Sequence, residues 1–275
     1  LNLVFVIVFQ MSVAGVALAT VISQALAALL VCITLMKEPD ATHLDLHKLR
    51  IDRAMALEII RIGVPAGLQG MAFSLSNVVV QSSINSFGSS VIVAGNSASN
   101  NIENFVYIGM SAFTQACITF TSQNVGAQNL KRVKSIFNHS MVLTTLSAML
   151  MGFLVWFFGE SLLAFYTSDP AVVEAGMLRL FWVSMFLFLN GILDVFVSSL
   201  RGMGYSSLPT IVMLVGICGV RLLWLLLIFP MHRTLTTIYL CFPLSWTVTS
   251  IVLGFIWLYC YRHMLRTNGQ QAQNA

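Results

Sequence analysis

Residues 62–102 read IGVPAGLQGMAFSLSNVVVQSSINSFGSSVIVAGNSASNNI and contain no Asp, Glu, Lys or Arg. A bilayer core of about 30 Å needs roughly 20 apolar residues per helix. The stretch is therefore long enough for two spans, and Ser86-Phe-Gly-Ser-Ser90 is the turn between them. The same kind of run recurs along the chain. Residues 104–130, 135–159 and 234–261 are also free of charged side chains. Of the 275 residues 57% are apolar and only 9% are charged. A soluble domain carries about 25% charged residues. A mean hydropathy of +0.86 points the same way. These numbers predict an all-α, polytopic membrane protein embedded in a lipid bilayer.

Working outward from residues 62–102, the pattern predicts one partial span at 1–10 and full spans at 13–36, 62–85, 90–120, 136–159, 176–200, 207–229 and 235–260. Lys and Arg set the expected orientation. Lys37, Lys48, Arg50 and Arg53 share one loop, Lys131, Arg132 and Lys134 the next alternate one, Arg201 another, and Arg262 and Arg266 the tail. The opposite loops hold Glu160, Asp169 and Glu174, with Arg233 as their base. The basic loops and the C-terminus are thus expected on the cytoplasmic side of an inner (plasma) membrane. Residues 43–61 mix charge with Ile51, Met55, Ile59 and Ile62 at helical spacing, which predicts a helix lying at the interface and leading into the next span.

Several function classes drop out. The net charge of +4 comes from few basic residues set between apolar runs, so nucleic acid is not an expected partner. The five cysteines lie in apolar stretches without a CxxC pair and read as small buried hydrophobes. There is no HExxH, no GxSxG and no pair of aspartates in facing spans, so an enzyme is not expected. The chain opens on Leu1 and an apolar run without a basic leader, which reads as the middle of a longer protein.

Polar side chains at membrane depth must find partners or line a cavity. Three spans carry them in helical stripes: Gly70, Ser74, Asn77, Gln81 and Asn85; Asn96, Asn100, Glu103 and Tyr107; and Asn190, Asp194 and Ser198. Glu103 and Asp194 are the carboxylates set well inside spans, and Arg221 is the base read at mid-depth. A charge at the bilayer centre costs about 2.5–3.5 kcal/mol on insertion scales. Such residues persist when paired or when they bind an ion. Asp194, Asn190, Glu103, Asn77, Gln81, Asn100, Tyr107 and Arg221 are therefore the candidate substrate- and ion-binding set. The structural alternative is that the amides only join helices, and that Glu103 neutralises Arg221. Pro65 is expected to open a span.

An ordered set of stretches resembles the multidrug and toxic compound extrusion (MATE) family. These are Gly15-Val-Ala-Leu-Ala-Thr-Val-Ile-Ser-Gln24, Arg61-Ile-Gly-Val-Pro65 with Ala66-Gly-Leu-Gln69, Ile102-Glu-Asn-Phe-Val-Tyr107, Ser122-Gln-Asn-Val-Gly-Ala127 and Leu200-Arg-Gly-Met-Gly-Tyr-Ser206. The resemblance implies a twelve-helix antiporter of two six-helix lobes. Residues 1–36 would hold the end of helix five and helix six, 37–61 a cytoplasmic linker, 62–262 the second lobe, and 263–275 a cytoplasmic tail. The first lobe would come from elsewhere in the same protein. The implied activity is export of cationic, amphiphilic organic compounds in exchange for H⁺ or Na⁺, without a cofactor. Some members carry a Glu in helix seven and an Asp in helix ten. The first position falls near Phe73 here, and the second at Asn190, one turn before Asp194. A flippase of lipid-linked oligosaccharides from the same superfamily is the alternative, and it would need a basic cavity supplied by Arg221 and Arg179.

Overall fold

The computed structural model describes residues 4–11, 13–37, 45, 50 and 52–274. Among them, all regular structure is helical. The chain divides into two compact units, Leu1–Glu58 and Ile59–Ala275. In the first, a wide-turned segment at Val4–Val8 precedes helix α1, Val13–Lys37. Gly15 lets α1 approach that segment, since a Cβ there would lie 3.3 Å from both the Cβ and the carbonyl oxygen of Phe5.

Helix α2, Arg53–Asn85, runs across the division between the units. Asp52 caps its start, accepting from the backbone N–H groups of Ala54 and Met55 at 2.7 and 3.2 Å. An aspartate there satisfies donors that the first turn leaves unpaired. The helix thus begins well before Pro65, which stands inside it. Of the interfacial helix expected at 43–61, residues 43–44, 46–49 and 51 lie outside the described residues; from Arg53 onward the segment is part of α2.

The second unit continues with α3 (Ser90–Gly126), α4 (Leu130–Phe157), α5 (Gly159–Ala164), α6 (Pro170–Arg179), α7 (Leu187–Gly202), α8 (Ser207–Met213), α9 (Val220–Leu227) and α10 (Leu235–Asn274). The turn expected between α2 and α3 is present. Gly88 turns the chain with φ +66°, and Ser89 caps α3. Asp169 caps α6 with Pro170 in its first turn, so this span starts earlier than the 176 read from hydropathy. Two wide-turned π segments join short helices into long ones: Leu180–Ser184 links α6 to α7, and Leu214–Gly219 links α8 to α9. Each such turn rotates everything beyond it about the helix axis.

Five helical stretches among the described residues are long and apolar enough to cross a membrane: Val13–Lys37, Leu130–Phe157, Pro170–Gly202, Ser207–Leu227 and Leu235–Arg266. The two remaining long helices, α2 and α3, have 33 and 37 residues. Their length suffices for a span, and their polar stripes lower their hydropathy. On α4 and α10, Leu146, Leu150, Phe153, Ile251, Phe255 and Tyr259 are exposed. Large apolar side chains facing outward are what a lipid solvent favours and water does not.

Helix α3 packs against α4, α6 and α7, and α7 packs against α4 and α10. The core between them is apolar, with Met110, Val133, Leu193, Leu200 and Leu253 fully enclosed. An aromatic stack pins α10. Trp257 lies 4.0 Å from Phe137 and 5.2 Å from Tyr261 between ring centroids, and its indole N–H donates to Ser199 Oγ at 2.8 Å. Helix α2 is tied in by polar bonds. Arg201 donates to Gln69 Oε1 at 2.6 Å, and the Cys218 thiol donates to the Ala72 carbonyl at 3.2 Å.

Association of helices in lipid rests on close backbone approach and hydrogen bonds, because the tails are as apolar as leucine. The α3–α6 contact shows both. A Cβ on Gly95 would lie 2.7 Å from the Val172 carbonyl oxygen and 2.8 Å from the Gly176 nitrogen. One turn on, Ser99 Oγ–H sits between the carbonyl oxygens of Gly95 and Gly176, 2.9 Å from each. Replacing Gly95 by Ala puts a methyl group into backbone that has no side chain to move aside. Overpacking of this kind costs about 1–3 kcal/mol. Gly95→Ala in the complete protein is expected to lower the thermal unfolding midpoint in detergent, whereas Gly70→Ala, inside α2 with nothing within 4 Å, should leave it unchanged or raise it.

Candidate functional site

The stripes on α2, α3 and α7 converge on one cavity of about 600 Å³ in the second unit. Asn77 and Gln81 line it from α2, Asn96, Asn100, Glu103 and Tyr107 from α3, and Asn190 from α7. Arg179, Arg221, Phe242 and Trp246 complete the wall. Of the eight candidate residues, seven line this space. Asp194 stands beside it, one turn along α7 from Asn190, whose Nδ2 donates to Asp194 Oδ2 at 3.1 Å. Gly70, Ser74 and Ser198, although on the same stripes, are not among the lining residues.

Glu103 has a different partner from the one expected. Its two carboxylate oxygens accept from Arg179: Nε at 3.1 Å and Nη2 at 2.7 Å. The pair is buried, with Arg179 5% and Glu103 7% exposed. The Arg179 guanidinium also donates from Nη1 to Asn96 Oδ1 at 2.6 Å and from Nη2 to Asn100 Oδ1 at 3.1 Å. Arg221 is therefore not the base that neutralises Glu103, nor the sole buried base. Arg179 falls inside the span read as 176–200, and a charge within that apolar run was the available signal for it.

The physical reason for this pairing is local. Gly95 and Ser99 allow α6 to lie directly on α3, and α6 ends at Arg179 beside the Asn96–Asn100–Glu103 face. The guanidinium fork matches a carboxylate in two parallel bonds, and the asparagines take donors that remain. The network extends to α2. Asn96 Nδ2 donates to Gln81 Oε1 at 3.0 Å, and Gln81 Nε2 donates to Asn85 Oδ1 at 2.9 Å.

Arg221 is held otherwise. It is 3% exposed. Its Nε donates to Ser245 Oγ at 3.2 Å, and its Nη1 to Asn77 Oδ1 at 3.4 Å. Its guanidinium carbon lies 4.3 Å from the Phe242 ring centroid and 6.0 Å from that of Trp246. The Arg179 guanidinium carbon is 5.6 Å from the centroid of the same Phe242 ring, so one aromatic ring is shared by two cations. Among the described residues, Arg221 has no carboxylate in an ion pair. Both arginines border a π segment, Arg179 just before Leu180–Ser184 and Arg221 just after Leu214–Gly219. Wide turns of this type often occur at functional sites.

Asp194 is half-buried and lies within electrostatic reach of the Tyr107 hydroxyl and of Arg201. With Glu103 committed to Arg179, Asp194 is the carboxylate beside the cavity that is not locked in a two-pronged ion pair. No group of three or more His, Cys, Asp or Glu residues is placed to hold a metal ion among the described residues.

Against known proteins, residues 65–226 match the MatE family. The chain is 29% identical over 189 residues to the probable multidrug resistance protein YpnP of Bacillus subtilis, covering 66% of this chain and 40% of that protein. It is 26% identical over 203 residues to the multidrug export protein MepA of Staphylococcus aureus, covering 74% and 45%. The chain thus spans less than half the length of these relatives. In three dimensions it is similar to a MOP superfamily transporter from Pyrococcus furiosus, with a TM-score of 0.83 at 16% identity over 95% of this chain and 58% of that one. It is also similar to a variant of the MATE transporter VcmN from Vibrio cholerae, with a TM-score of 0.74 at 20% identity over 97% and 59%. These structural likenesses establish the all-helical membrane fold.

The site yields a stability prediction. Removing one partner of a buried ion pair leaves a bare charge and costs about 3–5 kcal/mol. Arg179→Met is expected to destabilise the complete protein by that amount in a sodium dodecyl sulfate unfolding titration in mixed micelles. Adding Glu103→Gln to it should recover most of the loss.

Proposed function

This chain belongs to the MatE family of membrane transporters, and we propose that it supplies one lobe of a multidrug exporter that exchanges cationic, amphiphilic compounds for H⁺ or Na⁺. The observation that carries the reading is Asp194, held by Asn190 beside a polar cavity of about 600 Å³ in an otherwise apolar bundle. A carboxylate outside any two-pronged ion pair, next to a solute-sized space, can take a proton or a metal cation from one side and yield it when an organic cation arrives. Glu103 is unsuited to that task, because Arg179 occupies both of its oxygens. The likeness to a probable multidrug resistance protein, YpnP, and to a multidrug export protein, MepA, supports drug export as the class of reaction.

In this reading the relatives' additional length supplies a first lobe, and rocking of the two lobes exposes the cavity alternately to each side. The exposed amides Asn77, Asn100 and Asn104 form a polar rim suited to such a partner surface. The protein sits in the plasma membrane with Lys131, Arg132, Lys134 and its C-terminus in the cytoplasm.

The presence of two buried arginines favours a second reading, a flippase for a pyrophosphate-linked lipid. The charges weigh against it. Glu103 neutralises Arg179, which leaves Arg221 alone to face a group of at least two negative charges.

Coupling through Asp194 is testable in inverted membrane vesicles that carry the complete protein. Asp194→Asn is expected to reduce gradient-driven accumulation of a cationic dye by about tenfold or more, equivalent to about 1.4 kcal/mol. Unchanged accumulation would remove Asp194 from the mechanism.

A further inference from the structure

Helix α10 has two unlike faces. Phe242 and Trp246 turn one of them into the cavity, and Trp257, Cys260 and Tyr261 continue its buried side toward the end of the helix. On the opposite side Ile251, Phe255, Tyr259, Arg262 and Arg266 follow one another at spacings of 4, 4, 3 and 4, which puts them on one stripe. All five are exposed. The helix that carries them is held from behind by the stack of Trp257 on Phe137 and by the bond from Trp257 to Ser199. The stripe thus faces away from the cavity and is presented by a fixed support.

The order of residues along the stripe follows the layers of one leaflet. At 1.5 Å per residue, the apolar part from Ile251 to Tyr259 is about 12 Å long, close to the hydrocarbon depth of one leaflet, about 15 Å. Tyr259 stands where an aromatic ring with a polar tip is favoured, at the edge of that layer. Its ring is stacked on His263, with 6.3 Å between centroids. Arg262 lies about 4.5 Å beyond Tyr259 and Arg266 about 10.5 Å beyond it, in and at the edge of the headgroup layer. Side chains on a helix lean toward its N-terminus, here back toward the bilayer. The Tyr261 hydroxyl donates to the Leu130 carbonyl oxygen at 3.2 Å. That bond sets the first turn of α4, with Lys131 and Lys134 exposed, at the depth of the arginines.

We infer that this face of α10 seats an anionic phospholipid: an acyl chain lies along Ile251 and Phe255, the glycerol level falls at Tyr259, and Arg262 and Arg266 take the phosphate. Two guanidinium forks one turn apart on one face suit a phosphate, which each can bind through paired N–H donors. Lys131 and Lys134 add positive charge at the same depth, which favours a headgroup with net negative charge over a zwitterionic one. The inference needs the membrane fold alone and stands or falls separately from the export reading.

Two lipids with the same chains isolate the interaction. The complete protein in dodecyl maltoside is titrated with dioleoylphosphatidylglycerol or dioleoylphosphatidylcholine, and bound lipid is counted by native mass spectrometry. Phosphatidylglycerol is expected to bind more tightly by roughly twenty-five-fold, about fivefold from each arginine. Replacing both, Arg262→Gln with Arg266→Gln, should abolish the preference and leave the thermal unfolding midpoint unchanged, since both side chains are exposed. Arg50→Gln with Arg53→Gln removes the same charge elsewhere and should keep the preference, and excess inorganic phosphate should not displace the lipid. Equal binding of the two lipids by the unmodified protein overturns the inference. So does a preference that survives loss of Arg262 and Arg266, or one that the Arg50 and Arg53 replacements also abolish, which would make it an effect of net charge. Displacement by inorganic phosphate overturns the lipid as the occupant.

Discussion

The bidentate pair between Arg179 and Glu103 is the constraint around which the second unit is organised. Two charges are buried together at 2.7 Å, and asparagines from α3 take the donors left over. An ion pair of this kind is rarely a net source of stability, because desolvation offsets the attraction. What it imposes is geometry. Arg179 ends α6, Glu103 lies midway along α3, and the guanidinium fork fixes the rotation of one helix against the other. The close contact at Gly95, Ser99 and Gly176 is the condition for it: larger side chains there would hold α6 too far from α3 for both bonds to form.

The cavity follows from the same constraint. Glu103 and Arg179 cancel each other, and two charges stand outside the pair: Asp194 beside the space they border and Arg221 in its wall. One is a carboxylate on α7, held by an asparagine. The other is a guanidinium on α9, held by a serine, an asparagine and an aromatic face. Phe242 and Trp246 give the same space an aromatic wall beside the guanidinium.

How legible this was depends on the kind of signal. The turn at Ser86–Ser90 and the start of α10 at Leu235 follow from hydropathy and from turn chemistry within a few residues, and α3 begins where the turn predicts. The stripes on α2, α3 and α7 were legible as well, since side chains three or four residues apart share a helix face in any helix. They brought seven of the eight candidate residues to the cavity wall. The start of α6 was read too late, and the segment ahead of Ile62 was read as an interfacial helix leading into a span, where one helix runs on from Arg53. The caps Asp52 and Asp169 are local chemical signals that hydropathy averages away, and they move each start outward from the apolar run.

The amino-acid sequence by itself determined that the chain lives in a bilayer, roughly where it crosses, and which helix faces are polar. Those properties depend on composition and on a period of 3.6 residues, both of which are local. Which base meets Glu103 was decided only by the tertiary structure. Arg179 and Arg221 are both arginines in apolar runs, and nothing within either run distinguishes them as partners. The choice was made by the approach of α6 to α3 through glycine and by the π segments at Leu180–Ser184 and Leu214–Gly219, which reset the rotation of everything that follows them. Rotation about a helix axis is a property of packed neighbours, and a pattern read along one strand of residues does not contain it.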